Sequence, residues 1–238
     1  MIAYIAEIDL NHTFYDDIRS ICNQFDCKWE EQLIPHQNWN TKWESSFSPI
    51  KIGQFVGIRA DFHPPFQDVE HELIIHPRMA FGTGHHATTY LVMERMKDLG
   101  MQGKSVFDYG CGTGILAVLA SLLKASPIDA VDIEEEATSN TLVNMKANNV
   151  SDIQIFTGDI NIVPKRKYEI ILANINRNVI LNTLAALYER SCQGGDLLIS
   201  GILKRDQQLV EKEAERCGYK QILVRERDGW LMLHYRRP

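Results

Sequence analysis

The chain has 238 residues, a 45% hydrophobic fraction and a net charge of −6, which suits one good-sized globular domain plus a small one. The acidic balance argues against a nonspecific grip on nucleic acid, and no apolar run reaches the roughly 18 residues of a membrane span. The first residues lack a signal peptide's basic stretch and long apolar core. The five cysteines, Cys22, Cys27, Cys111, Cys192 and Cys217, are scattered with no C-x-x-C, so a reducing cytoplasm and no zinc site are expected.

In chain order, residues 1–37 read as one small βαβ unit. A strand is expected over Ile2 to Ile8. A helix over Tyr15 to Phe25 follows, with Ile18, Ile21, Cys22 and Phe25 at helical spacing, and then a second strand over Trp29 to Ile34. This unit is too short to bury a core alone. Residues 38–65 form a tryptophan-rich, proline-ended connector with Trp39, Trp43, Phe47 and Pro49. Short strands are expected at Gln54 to Arg59 and Leu73 to Ile75, and a helix at Tyr90 to Leu99.

The main domain is placed at residues 66–238. From Ser105 onward its strands and helices alternate, which predicts a parallel α/β sheet with helices on both faces. Strands are expected at Val106–Asp108, Ile128–Asp132, Ile153–Phe156, Glu169–Ala173 and Asp196–Ser200. Helices are expected at Ile115–Lys124, Glu135–Asn148, Ile180–Cys192 and Lys204–Cys217. The chain ends differently: Asp228-Gly229 between Gln221–Arg227 and Trp230–Tyr235 is a hairpin signal.

The stretch with most chemical content is Val106-Phe-Asp-Tyr-Gly-Cys-Gly-Thr-Gly114. It reads as strand, glycine turn and helix, with a second strand ending on Asp132. Glycines at Gly110 and Gly112 let a flat ligand approach the backbone. An acid at the end of the next strand can accept both hydroxyls of a ribose. The G-x-G-x-G spacing differs from the G-x-G-x-x-G of a dinucleotide site. Asp108, two residues before the first glycine, would repel a diphosphate and suits a cationic ligand. S-adenosylmethionine fits these features better than NAD does, and the D-x-G-x-G-x-G pattern resembles the first motif of class I methyltransferases. A plain tight turn is the bland alternative.

Two further segments accompany the turn: Phe81-Gly-Thr-Gly-His-His-Ala-Thr-Thr89 and Leu172-Ala-Asn-Ile-Asn176. Asp108, Asp132, Asp159 and Asn174 all fall at carboxyl ends of expected strands, where open α/β sheets bind ligands. With Asn38-Trp39-Asn40 and Trp43, these segments resemble the ribosomal protein L-eleven methyltransferases, the PrmA family, over roughly residues 38–235. Ala87 stands where that family commonly has proline. The family's amino-terminal recognition domain is usually a βαββαβ unit, and residues 1–37 supply about half of one.

The resemblance implies a class I methyltransferase fold, with a seven-stranded, mainly parallel sheet and a terminal antiparallel hairpin. It implies S-adenosylmethionine as methyl donor and, as acceptors, lysine and terminal amino groups of a large-subunit ribosomal protein. It also implies donor contacts at Thr89, Gly110, Asp132 and Asn174. Phe81 and Thr83 belong to a glycine-rich candidate lid over the donor's methionine end, although an ordinary loop reads similarly. Gly112 and Asp108 join the donor set, with Ile133 beside Asp132. Asp159 would accept from the adenine amino group or else cap a turn. Asn174 is the one catalytic candidate, accepting a hydrogen bond from the neutral acceptor amine. His85 and His86 invite a metal reading, but no second ligand cluster has suitable spacing. Other readings stay open: an RNA or small-amine acceptor, an NAD-dependent oxidoreductase, or a methyltransferase-fold binding module without catalysis.

Overall fold

The computed structural model describes residue 10 and residues 12–31, 48–76 and 86–238. The chain divides into two compact units, Met1–Trp39 and Asn40–Pro238. In the first, helix α1 spans His12–Phe25 and stops at Asp26, whose φ of 47° is left-handed. Residues 27–31 carry no strand, so the second strand expected from Trp29 is absent over its described part. The strand expected at Ile2 to Ile8 and the tryptophans of the connector lie outside the described residues.

The second unit begins with a three-stranded sheet of β1 (Ile50–Ile52), β2 (Val56–Ala60) and β3 (His71–Ile75). β2 pairs antiparallel with β1 and parallel with β3. All five residues of β2 are buried. β1 was not anticipated, because three residues show no period.

Helix α2 (Ala87–Met96) leads into the alternating region: β4 (Val106–Tyr109), α3 (Ile115–Leu122), β5 (Ile128–Asp132), α4 (Glu135–Ala147) and β6 (Ile153–Thr157). β7 (Tyr168–Asn174), α5 (Arg177–Arg190) and β8 (Ser191–Leu203) follow. The end is a short 3-10 turn, α6 (Gln207–Arg216), β9 (Lys220–Arg227) and β10 (Trp230–Arg236). α5 starts three residues before the expected Ile180. Asn176 makes this possible, because its side-chain oxygen accepts from the Val179 amide and satisfies a donor that the first turn leaves open.

The sheet order is β6-β5-β4-β7-β8-β10-β9. β6 through β8 are parallel, and β10 runs antiparallel to both its neighbours. One face of the sheet packs on α2, α3, α4 and the small sheet through residues such as Leu91, Leu119, Met145 and Ile58. The other face packs on α5 and α6 through Ile180, Leu184 and Val210. Chain order reverses at β4: successive strands go outward to β6, and β7 returns to the other side of β4. That reversal opens a crevice beyond the carboxyl ends of β4, β5 and β7, where such sheets bind ligands.

Candidate functional site

A cavity of ≈ 530 Å³ occupies that crevice, and Gly110, Gly112, Asp132, Ile133 and Asn174 are on its wall. The amides of Gly110 and Cys111 both donate to the Val131 carbonyl, at 2.9 and 3.0 Å, which folds the turn back over β5. Gly110 has φ 75°, and a Cβ there would overlap the Ile175 side chain. Asp132, last in β5, accepts from the Gly112 amide through Oδ2 at 2.9 Å and from the Glu134 amide through Oδ1 at 3.1 Å. Each carboxylate oxygen has a further lone pair for a ligand.

Asn174 is last in β7 and only 9% exposed. Its Nδ2 donates to the buried Thr89 Oγ1 at 3.1 Å. Its Oδ1 has no hydrogen-bond partner among the described residues. A buried polar atom without a partner is costly, and this one belongs to a residue that lines the cavity. Thr89 touches Asn174 rather than the cavity and orients its amide.

Asp108 is placed differently. Its carboxylate is buried beneath α3, where Oδ2 accepts from the Ala117 amide at 3.1 Å. It therefore caps the first turn of that helix from the preceding strand and is not on the cavity wall. Burial pushes its pKa up to about 7; the Ala117 amide opposes this, and the charge of Asp132 adds to it. Asp159 is exposed and accepts from the Asn161 backbone amide at 2.9 Å and from the Asn161 side chain at 3.1 Å, which closes a turn. Its neighbour Gly158 is the wall residue there. Phe81 and Thr83 lie outside the described residues.

Several wall residues were not singled out from sequence: Tyr109, Glu134, Glu136, Gly201 and Trp230. Burial raises the Tyr109 phenol, with Thr183 hydrogen bonding in opposition and Asp159 and Asp132 adding to it. Trp230 opens β10, and because β10 is antiparallel its first residue lies at the edge where the parallel strands end. The strand-end rule concerns carboxyl ends, so it passes over Trp230, which stands at the amino end of its strand. The ring of Trp230 meets the edge of His86, with centroids 4.6 Å apart. His86 caps α2 by accepting from the Thr88 amide. Burial lowers its pKa, which favours the neutral ring. No group of three or more potential metal ligands occurs among the described residues.

Sheet order, glycine turn and strand-end polar residues together define a Rossmann-like fold of the class I methyltransferase type. A family model described as ribosomal protein L11 methyltransferase (PrmA) matches residues 1–238. The chain belongs to that family. A Porphyromonas gingivalis protein named ribosomal protein L11 methyltransferase is 38% identical over 237 residues, covering 97% of this chain and 82% of the relative. A Bacteroides fragilis protein of the same name is 37% identical over 201 residues, covering 84% and 72%. Among solved structures, a ribosomal protein L11 methylase from Lactobacillus delbrueckii subsp. bulgaricus superposes with a TM-score of 0.73 at 27% identity, covering 80% of this chain and 99% of that one. A Pyrococcus furiosus methyltransferase shares the fold at 15% identity and a TM-score of 0.57, covering 69% and 89%.

Proposed function

We propose that this chain is an S-adenosylmethionine-dependent methyltransferase whose acceptors are lysine and terminal amino groups of ribosomal protein L11. One observation carries the reading. Asn174, whose buried side-chain oxygen has no partner among the described residues, lines the switch-point cavity together with Asp132. The residues fit an S-adenosyl donor: an acid for a ribose, glycines where a side chain would block the cradle, and an acceptor atom for an amine.

The donor supplies a methyl group already activated on a sulfonium sulfur, so the protein's work is placement and exclusion of water. In this reading Asp132 accepts the ribose hydroxyls, Gly110 and Gly112 admit the donor to the backbone, and Ile133 lies against its base. Thr89 holds the Asn174 amide so that Oδ1 accepts an N–H of the neutral acceptor amine and aims its lone pair. Asn174 carries no charge and so does not favour the ammonium form, whereas desolvation disfavours it. Asp108 holds the turn from beneath, Asp159 shapes the loop after β6, and Phe81 and Thr83 remain the proposed lid. Residues 1–37 are the proposed acceptor-recognition unit, joined by the 38–65 connector to the methyltransferase domain at 66–238.

The acceptor is a large-subunit ribosomal protein, the setting the cytoplasm, and neither RNA nor membrane is needed. Among the described residues no helix is long and apolar enough to cross a membrane. The test is intact-mass analysis of purified ribosomal protein L11 incubated with the enzyme and isotope-labelled donor. Methyl-sized mass steps carrying the label on amino groups are expected. Label that goes only to RNA or a small amine added in parallel would overturn the acceptor. Absence of donor binding by calorimetry would overturn the whole reading.

A further inference from the structure

The first unit contains a pair of thiols that the methyl-transfer reading does not use. Cys22 sits in the last turn of α1, and Cys27 follows the helix by two residues. Their sulfurs are 3.2 Å apart. The helix ending explains the approach. Asp26 is left-handed, with φ 47°, and the Cys27 amide donates to the Cys22 carbonyl at 3.0 Å. This is the 6→1 bond of a Schellman ending, whose geometry brings the side chains of those two positions into contact. The contact is ordinarily apolar, and two buried cysteines could serve that way. These are not buried: Cys27 is exposed and Cys22 half-exposed.

We propose that Cys22 and Cys27 form a redox-modifiable dithiol, closed to an intramolecular disulfide by a small-molecule disulfide such as oxidised glutathione. The Cys27 thiolate, the more exposed, attacks one sulfur of oxidised glutathione. One glutathione thiolate leaves, and a mixed disulfide remains on Cys27. The Cys22 thiolate then attacks Cys27 Sγ and expels the second glutathione. The protein loses two electrons and two protons, and the oxidant becomes two glutathione thiols. A disulfide needs its sulfurs at about 2.05 Å, so the pair must close by side-chain movement, while the 6→1 bond already holds the two backbones together.

The other cysteines lack this arrangement. Cys111 is 6% exposed, and burial raises its thiol far above the usual range. Cys192 and Cys217 are partly covered, as Cys22 is, but among the described residues only Cys22 and Cys27 show a sulfur–sulfur contact. In the chain-entropy account stabilisation grows with the length of the closed loop, so a ring between positions five apart adds little to overall stability. Its effect is local: it fixes a turn flanked by the exposed side chains of Ile21, Phe25 and Trp29.

The test uses the full chain, reduced and then equilibrated in glutathione buffers of increasing oxidised fraction. After quenching by alkylation and trypsin cleavage, both thiols fall in the single peptide Ser20–Lys28. The expected result is that this peptide loses both alkylation sites and the mass of two hydrogens, while Cys111, Cys192 and Cys217 remain alkylated. Cys22→Ser and Cys27→Ser are each expected to hold glutathione as a stable mixed disulfide on the remaining thiol. Three results would overturn the proposal: glutathione persisting on the wild-type peptide without ring closure, a bridge to any other cysteine, or a disulfide-linked dimer in place of the ring.

Discussion

Asp132 and Asn174 do different work on one cavity wall, and substitutions should separate them. Asp132→Ala removes charge-assisted hydrogen bonds worth about 1.5–3 kcal/mol, so donor affinity should fall roughly 10- to 150-fold. Titration calorimetry checks this, and unchanged affinity in a folded variant would remove Asp132 from the ribose. Asn174→Ala should slow transfer at saturating donor more than it weakens donor binding. Full turnover with only affinity lost would make Asn174 a donor contact alone. Asp108 and Asp132 look alike in sequence, both being acids at strand ends. What separates them is the direction each side chain takes there, toward the α3 amides or toward the crevice, and a one-dimensional motif does not carry that direction. The position of Asp108 has a pH consequence. Its folded pKa of about 7 lies above the ordinary 3.9, so its contribution to stability is full below pH 4 and falls as pH rises to about 7. The loss is at most about 1.4 kcal/mol per pH unit. Denaturant titrations of Asp108→Asn and wild type at pH 5 and pH 7.5 should show the gap shifting in the variant's favour at the higher pH. A gap independent of pH would show that Asp108 does not titrate in this window.

The elements were legible where periodicity was strong. β5 spans the residues expected, and β4, β6, α3 and α4 differ from expectation by one or two positions. The Asp228-Gly229 hairpin forms with both residues left-handed, at φ 52° and 78°. Contacts between elements were not legible, because they depend on partners far apart in sequence. The open edge of β3 is an example. Asn148 of α4's C-terminal end accepts from the Ile74 amide at 2.8 Å and donates to the Ile74 carbonyl at 2.6 Å. Asn144 accepts from the His76 amide at 2.9 Å and donates to Thr113 in the glycine turn at 2.8 Å. Two asparagines thus act as a fourth strand and tie the small sheet to the donor cradle. Asn148→Ala should cost about 1–3 kcal/mol, because it leaves backbone groups of β3 without partners, and chemical denaturation reads the loss. On the other side of the crevice, Gly201 has φ 83°, and a Cβ there would overlap the Ile175 backbone oxygen. Gly201→Ala should cost about 2–4 kcal/mol, since overpacking adds to left-handed strain. Gly229→Ala, with nothing near its Cβ, should cost only the strain. Equal losses at the two glycines would refute the packing argument.

At the scale of the whole chain, the donor cavity and the proposed recognition unit belong to different compact units. Among the described residues, the cavity wall runs from Tyr109 to Trp230, inside the unit Asn40–Pro238, and both core clusters are drawn from that unit. α1 has no buried residue. Residues 1–37 carry too little apolar material to form a core of their own, whereas the alternating region has enough for both faces of a sheet. Donor binding and acceptor recognition should therefore separate. A chain of residues 40–238 should fold cooperatively and bind S-adenosylmethionine within about threefold of the full chain, a difference of roughly 0.7 kcal/mol. Transfer to ribosomal protein L11 should fall far more, chiefly through a higher apparent KM. Remote contacts supply the binding energy that orients a lysine in a site open to solvent, and removing them leaves the reacting groups unchanged. Steady-state kinetics of both chains, with the protein as acceptor, measure the split. If the shortened chain kept full kcat/KM, acceptor recognition would have to lie within residues 40–238, and the role proposed for the first unit would be wrong.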